Sequence, residues 1–152
     1  MTMFERFSRV VGQFEVEEVM EWMRNGKYRH EIENIRRAIE KGDKQRAVGS
    51  KKGLPGVTFS ACFEGGRLMR YLVEYNRLVV LDLDDVEVAE IDSRVRQEKY
   101  TLGAFRSPSG NGLKILVKVD SNQEEHRNAF QQVAGHYEEL LGVQVDRSGK
   151  ES

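Results

Sequence analysis

The chain has 152 residues, 39% hydrophobic and 32% charged, which is typical of one folded domain of ordinary size and excludes a disordered segment. Its 25 acidic and 24 basic residues nearly balance, so overall charge alone indicates no nucleic-acid partner. Cys62 is the one cysteine, which excludes an internal disulfide, and no apolar run approaches the roughly 20 residues that span a bilayer, so we expect a cytoplasmic protein outside the membrane.

The first 50 residues predict a helical extension. Apolar side chains recur at helical spacing from Val16 to Met23 and from Ile32 to Ile39, and Gly26 and Gly42 follow these runs. A basic stretch at residues 44–52 comes next, and by itself such a stretch is more often a solvated surface than a nucleic-acid groove. We therefore expect two ordinary amphipathic helices ahead of the main body of the domain.

Residues 51–152 predict the main body, which forms a single domain with the extension. Apolar residues alternate with small polar ones from Val57 to Phe63, as in a half-buried strand, and Gly65 and Gly66 close it. The later elements follow in the order strand 77–83, helix 86–99, strand 101–106, strand 113–119, a helix opened by a capping box of Ser121 and Glu124 and stopped by Gly142, and the start of a strand at 143–146.

This order, β-α-β-β-α-β, is the ferredoxin-like or split βαβ arrangement. The predicted fold class is therefore α+β, with a ferredoxin/RRM-like core and an N-terminal helical extension. Both helices cover one face of the sheet in this layout, and the other face is open to a ligand or to a second layer. The chain ends at Ser152 without a closing element, so we expect a longer protein to continue from it.

Ionisable residues are expected to converge at one edge of this sheet. The ends of the first, second and fourth strands and the start of the third strand share that edge. By alternation, the leucines beside them face the helices and four of the polar residues share the open face. These four are Asp82, Asp84, Lys114 and Asp146; Arg106 and the turn at residues 107–112 lie at the same edge.

The chemistry of these residues suits phosphoryl transfer. Three carboxylates can hold one or two Mg²⁺ or Mn²⁺ ions, which prefer oxygen ligands and bridge to substrate phosphates. Lys114 and Arg106 would hold the triphosphate. The turn at Ser109, Gly110 and Gly112 would cradle it, because glycine lets a phosphate approach the backbone closely.

Simpler interpretations remain open for several of these residues. Asp84 and Asp85 can be explained as the end of a strand and the cap of the next helix, which leaves Asp82 unexplained. Asp146 fits a turn equally well. The turn around Gly110 can be only a hairpin connection.

The motif series resembles the archaeo-eukaryotic primase (primase-polymerase) superfamily. The superfamily pattern is an apolar strand with Asp-x-Asp, a strand with small-x-His, and an apolar residue followed by Asp; here these correspond to Asp82-Leu-Asp84, Gly112-Leu-Lys114 and Val145-Asp146. More closely, the chain from about Lys51 is similar to VirE N-terminal-type domains of bacterial mobile elements. That similarity rests on residues 54–60, the Asp-x-Asp strand, residues 105–114 and residues 145–150.

The resemblance implies Asp82, Asp84 and Asp146 as catalytic metal ligands and Lys114 as a nucleotide-phosphate contact. Lys114 departs from the superfamily's histidine: it keeps a positive charge but is a poor acid or base near neutral pH. The resemblance therefore implies nucleotide binding by this chain more directly than it implies catalysis. Such domains also commonly precede a helicase-like region in the same chain.

These observations predict metal-dependent nucleotidyl transfer of a primase or polymerase type, in the replication of mobile or plasmid DNA. The expected partners are nucleoside triphosphates and single-stranded or primed nucleic acid, with Lys51, Lys52 and Arg67 meeting the template. Two alternatives stay open. One is a catalytically degenerate module that binds single-stranded nucleic acid, and the other is a different metal-dependent phosphoryl-transfer enzyme, such as a nuclease or a nucleotidyl cyclase.

Overall fold

The computed structural model of the chain describes residues 1–5 and 9–147. Within these residues the fold is mixed α+β, with five α-helices and three small antiparallel sheets. The helices are α1 (Val16–Arg24), α2 (Arg29–Glu40), α3 (Lys44–Gly53), α4 (Val88–Gln97) and α5 (His126–Leu141). The strands are β1 (Thr2–Glu5), β2 (Arg9–Gln13), β3 (Gly56–Thr58), β4 (Ala61–Phe63), β5 (Leu72–Tyr75), β6 (Leu78–Leu83), β7 (Thr101–Arg106) and β8 (Leu113–Lys118). In the described ranges, every helix is too short or too polar to cross a membrane.

The chain divides into two compact units, Met1–Glu74 and Tyr75–Ser152. The boundary that the sequence indicates after residue 50 falls inside α3, in the first unit. The predicted motif series runs on to Lys150, and its part beyond Arg147 lies outside the described residues.

The first unit begins with strands that the helical prediction for residues 1–50 does not include. β1 is the middle strand of the order β2-β1-β3 and pairs antiparallel with both neighbours. Thr2 is fully buried, and its side-chain oxygen accepts a hydrogen bond from the Phe63 N–H at 2.7 Å. A strand of four residues is too short for its alternation to stand out from the surrounding sequence, so the pattern alone misses it.

The single strand predicted for residues 57–63 is wrong, because the structure breaks it into β3 and β4. The Thr58 hydroxyl lies 3.0 Å from the Ala61 carbonyl oxygen, which closes a tight turn between the two strands. Such local bonds from a threonine side chain compete with a continuous ladder. The two strands then join different sheets, β3 beside β1 and β4 beside β5.

The two predicted amphipathic helices of the first unit are present as α1 and α2. Val19 of α1 and Ile35 and Ala38 of α2 are buried, as the helical spacing requires. The basic stretch that follows is also a helix, α3, which the apolar pattern cannot reveal because Ala47 is its one buried residue. Its start does carry a signal: the Asp43 carboxylate accepts the Arg46 N–H at 3.0 Å, as an N-cap does.

The second unit contains the sheet β6-β8-β7, which is antiparallel throughout. Its α4 and α5 are predicted correctly in kind and nearly in extent. Alternate side chains of β6 and β8 form a core with apolar residues of both helices, as the parity argument requires. The strand residues of this core are Val79, Leu81, Leu83, Leu113, Ile115 and Val117.

Two predicted features of the second unit are wrong in detail. The reciprocal bonds predicted for Ser121 and Glu124 occur one residue later, in the turn before α5, where the Glu125 N–H donates to Asn122 Oδ1 at 3.0 Å; the N-cap of α5, Glu125, has no side-chain cap. Residues 143–146 do not form a strand in the described part of the chain. One backbone hydrogen bond still ties this segment to β6, from the Asp146 N–H to the Asp82 carbonyl at 2.8 Å.

Candidate functional site

The register of β6 against β8 places Asp82 directly opposite Lys114. Their side chains form an ion pair between Lys114 Nζ and Asp82 Oδ2, and each is about 30% exposed (30% and 31%). Because Leu81 and Leu83 point into the core, Asp82 and Lys114 lie on the other face of the sheet. The sequence predicts that Asp82 and Lys114 share a face of the sheet, and the structure adds an ion pair between them that the prediction did not include.

The second carboxylate oxygen of Asp82 has a different environment. Among the described residues, Oδ1 is buried and has no hydrogen-bond partner. A buried carboxylate oxygen without a partner costs free energy, and a bound cation or a donor from a ligand removes that cost. Asp82 thus combines one oxygen held by Lys114 with one oxygen oriented for a further partner.

Asp146 reaches Asp82 through the backbone. Its N–H donates to the Asp82 carbonyl, so it lies on the side of β6 away from β8. Val145, the residue before it, is buried in the core. The backbones of these two acids are therefore neighbours, although residues 143–146 are not a strand.

Glu138 of α5 holds the segment that carries Asp146, and sequence reasoning missed it. Its carboxylate accepts the Val145 N–H at 3.1 Å and pairs with the Arg147 guanidinium at 2.6 Å. The Val145 hydrogen bond, followed by the bond to Arg147, lowers the pKa of Glu138 although burial opposes this. A clamp on both sides of Asp146 fixes its backbone beside β6. These contacts join the end of α5 to residues seven and nine positions later, and the apolar spacing that predicts the helix does not reveal them.

Gly112 determines how closely the turn approaches the Asp-x-Asp strand. A Cβ atom there would lie 2.7 Å from the Leu83 carbonyl oxygen and 3.3 Å from Asp84 Oδ1. Real Cβ atoms essentially never approach an oxygen to 2.7 Å, so only glycine fits without movement of the backbone. The structure therefore brings Asp84 against the base of the turn, as the sequence analysis expects.

The turn at residues 107–112 is held largely by its own bonds. The Ser107 N–H donates to the Gly112 carbonyl at 2.8 Å, and the Gly110 N–H donates to the Ser107 carbonyl at 2.9 Å. Ser109 contributes a hydroxyl 3.1 Å from the Ser107 hydroxyl. Two of the amides expected to face a phosphate are thus used inside the turn.

A second link fastens the turn to the loop after β6. The Val86 N–H donates to the Asn111 carbonyl at 3.0 Å, and the Asn111 side-chain amide donates to Asp85 Oδ1 at 2.6 Å. Asp85 has a left-handed backbone, with φ at 52°. Asp85 therefore has a structural role in joining the two loops.

Arg106 is the predicted residue that the register places apart from the others. It pairs with Leu113, which faces the helix-covered core, so Arg106 begins on that face and is exposed. The residue of β7 opposite Lys114 is Phe105. In the first unit, Lys51 and Lys52 lie in the last turn of α3, and Arg67 is exposed between β4 and β5.

We refer below to Asp82, Asp84, Lys114 and Asp146 as the Asp82 cluster. Across residues 1–5 and 9–147, no three His, Cys, Asp or Glu side chains lie together as a ready group of metal ligands. In this conformation Lys114 neutralises Asp82. The observation that best supports a cation site is the buried Oδ1 of Asp82, which has no partner among the described residues. Asp84 and Asp146 each carry a carboxylate on backbone next to Asp82.

Comparison with known proteins identifies one family. The family described as "BT4734-like, N-terminal domain" matches residues 49–152, more than half of the chain. Neither the curated proteins nor the solved structures contain a significant match. The assignment to the archaeo-eukaryotic primase superfamily and to VirE N-terminal-type domains is wrong, because the family that matches is a different one. The short motifs behind that assignment, an Asp-x-Asp and a glycine-serine turn, are common enough to mislead.

Proposed function

The chain belongs to the BT4734-like N-terminal domain family, and from the Asp82 cluster within the matched residues we propose that it is a metal-dependent nucleotidyltransferase. Its substrates in this proposal are a nucleoside triphosphate and the hydroxyl end of a nucleic acid. The observation that carries the proposal is the buried Asp82 Oδ1 without a partner, beside the backbone of a second acid.

The residues of the cluster take distinct roles in this proposal. Asp82, Asp84 and Asp146 hold Mg²⁺ or Mn²⁺, which when bound neutralises charge on the triphosphate and on the attacking oxygen. Lys114 leaves Asp82 and contacts a phosphate, for which a flexible ammonium group is well suited. The attacking hydroxyl oxygen forms a bond to the α-phosphorus while the bond from that phosphorus to the β-phosphate oxygen breaks. The hydroxyl proton passes to solvent, and pyrophosphate leaves.

The finer fold is part of the same proposal. We propose that the second unit is a ferredoxin-like core in which the segment around Asp146 occupies the place of the fourth strand. The element order β6-α4-β7-β8-α5 supports this arrangement, as does the hydrogen bond from the Asp146 N–H to Asp82 on the free edge of β6.

A second candidate is a module that binds nucleotides or single-stranded nucleic acid without chemistry. The ion pair between Lys114 and Asp82 favours it, because a lysine that neutralises the central carboxylate competes with a metal ion. The two candidates differ in one respect that can be measured: only the enzyme lengthens a primer.

The test is extension of a labelled primer on a template, with nucleoside triphosphates and Mg²⁺ or Mn²⁺. Asp82→Asn removes the central charge and keeps the side-chain shape. We expect it to lower extension by at least about 100-fold, since losing even the hydrogen-bond partner of a metal ligand costs about 10- to 100-fold. Asp120→Asn is the matched control, because Asp120 is a fully exposed acid of the same unit, 3.5 Å from Arg77.

Equal activity of the wild-type protein and Asp82→Asn would contradict the proposed site. Binding of nucleotide without extension by the wild-type protein would support the module instead. Degradation of the template would indicate a nuclease. Thermal unfolding of both variants shows whether any loss of activity comes from loss of the fold.

A further inference from the structure

The α3 helix carries an unusual distribution of charge. Its ten residues include four cations and no acid: Lys44, Arg46, Lys51 and Lys52. All four are exposed, and within the described chain none of the four takes part in an ion pair. The neighbouring α2 is different, because it contains three glutamates as well as three arginines and Arg37 pairs with Glu33 at 3.7 Å.

Three of these cations share one face of α3. Lys44, Lys51 and Lys52 are spaced at i, i+7 and i+8 and fall within an arc of about 100°, with exposed Val48 at i+4 between them, and buried Ala47 at i+3 borders this arc. At 1.5 Å per residue, this row is about 12 Å long. We call it the lysine face.

The stability of α3 does not explain the lysine face. Like charges close together on a helix repel each other, and Lys44 in the first turn opposes the helix dipole. Lys51 and Lys52 in the last turn do favour the dipole. Two glycines weaken the helix further, and Ala47 is the only residue it buries. A helix whose cations repel each other is stabilised when an anion binds along it.

We propose that the lysine face binds the phosphate backbone of a single-stranded nucleic acid. Three ammonium groups along a row of about 12 Å can neutralise about three phosphates of one strand. The proposal rests on the proposed function only for the choice of partner, and the binding itself requires neither metal nor nucleotide.

Other anionic partners fit the lysine face less well. A helix that binds a membrane surface needs a broad apolar side next to its cations, and α3 exposes a single large apolar residue, Val48. Lysine is a strongly hydrated point charge that contacts a phosphate without fixed orientation, which suits binding that is independent of base sequence.

The experiment measures binding of a fluorescent single-stranded oligonucleotide of mixed sequence between 50 and 200 mM salt, without nucleotide or divalent ions. Three phosphate contacts predict a slope of about −2 for log K against log salt, or roughly twentyfold weaker binding across this range. The triple variant Lys44→Gln, Lys51→Gln, Lys52→Gln should lose most of that slope and bind at least about tenfold more weakly at 50 mM salt.

The matched control removes three exposed cations from the α2 region: Arg29→Gln, Arg37→Gln, Lys41→Gln. It has the same net charge as the test variant, and we expect it to stay within about twofold of the wild-type protein. The proposal is overturned if both variants lose the same affinity, if the lysine variant binds like the wild-type protein, or if vesicles of anionic lipid bind more tightly than the oligonucleotide. Circular dichroism checks that both variants keep their helices. Failure of primer extension with oligonucleotide binding intact would count against the proposed function alone.

Discussion

Lys114 is the residue on which the chemistry of the Asp82 cluster depends. Its ammonium group pairs with Asp82 Oδ2 from the facing strand, while Oδ1 of the same carboxylate stays buried without a partner among the described residues. If Asp82 holds a metal as proposed, Lys114 and the divalent cation would therefore compete for one carboxylate. A bound triphosphate would offer Lys114 another anionic partner and leave Asp82 to the metal.

Lys114→Met tests this competition. We expect it to bind Mn²⁺ alone about three- to tenfold more tightly, because one positive charge near the site is removed, and to bind a nucleoside triphosphate more weakly. Isothermal titration calorimetry with each ligand gives both affinities. Lys118→Met is the control, since Lys118 lies on the same strand opposite Leu78, away from the cluster. If both variants bind Mn²⁺ equally, Lys114 does not compete with the metal.

Gly112→Ala tests the packing of the turn against the Asp-x-Asp strand. The added methyl group would lie 2.7 Å from the Leu83 carbonyl oxygen, so we expect the free energy of unfolding to fall by about 1–3 kcal/mol. Urea unfolding measures the change. Gly135→Ala is the control, because no atom lies within 4 Å of a Cβ there and alanine favours the middle of α5 by about 0.4–1 kcal/mol. A Gly112→Ala protein as stable as the wild type would mean that the turn moves freely.

The sequence predicts the residues of the Asp82 cluster better than it predicts the residues that hold them in place, such as Glu138. Alternation along β6 and β8 correctly separates Asp82 and Lys114 from the core leucines, because each strand has a period of two residues. The same alternation, applied to Arg106, places it on the helix side once the register with Leu113 is known. Register depends on pairing between strands, which the sequence of one strand does not contain.

At the scale of elements, α5 and the segment after it position the second acid. Glu138 accepts a hydrogen bond from the Val145 N–H and pairs with Arg147, and the Asp146 N–H between them bonds to β6. The end of α5 therefore holds Asp146 beside β6, as pairing with a neighbouring strand would otherwise do. The prediction of a strand at 143–146 is wrong for this reason. Contacts of the Glu138 side chain hold this segment in place of most of the backbone hydrogen bonds that a paired strand would form.

Glu138→Gln tests this clamp. The neutral amide cannot form the ion pair with Arg147, so we expect a loss of about 1 kcal/mol of stability at neutral pH together with lower primer extension. Because the pKa of Glu138 is lowered in the folded state, its contribution is present above the ordinary value of 4.5 and is lost as the pH falls through the folded pKa. As the pH falls below 4.5, the free energy of unfolding of the variant should therefore decrease less than that of the wild-type protein. Urea unfolding at several pH values measures this difference.

Glu139→Gln is the control for this change, since Glu139 is the next residue and is exposed. It should leave stability, acid dependence and activity near those of the wild-type protein. Equal effects of the two variants would show that general charge on α5, not the clamp, is responsible.

At the scale of the whole molecule, charge is distributed unevenly although the totals nearly balance. The first unit carries the lysine face and the second unit carries the Asp82 cluster, and the family match spans the cluster together with Lys51 and Lys52 but not Lys44. Total composition hides this separation, whereas the position of each charge along the chain reveals it. The strands β1 and β2 lie outside the match and could not be found from apolar spacing.

The pH dependence of global stability should contain a contribution from His126. Its Nδ1 atom lies 2.9 Å from the Tyr75 hydroxyl, and burial lowers its pKa. The unfolded chain then binds a proton at higher pH than the folded one, so stability falls as the pH drops through about 6.5 towards the folded pKa. His126→Gln should lose less stability between pH 7.5 and 5.5 than the wild-type protein does, whereas His30→Gln, at an exposed position, should follow the wild type.

The most direct test of the central claim is a titration of Mn²⁺ followed by electron paramagnetic resonance, in the presence of a nucleoside triphosphate. The account predicts that the wild-type protein removes more free Mn²⁺ signal than the triphosphate does by itself, that Asp120→Asn does the same, and that Asp82→Asn binds at least about tenfold more weakly. Indistinguishable titrations of Asp82→Asn and the wild-type protein would contradict the claim that the Asp82 carboxylate holds the cation.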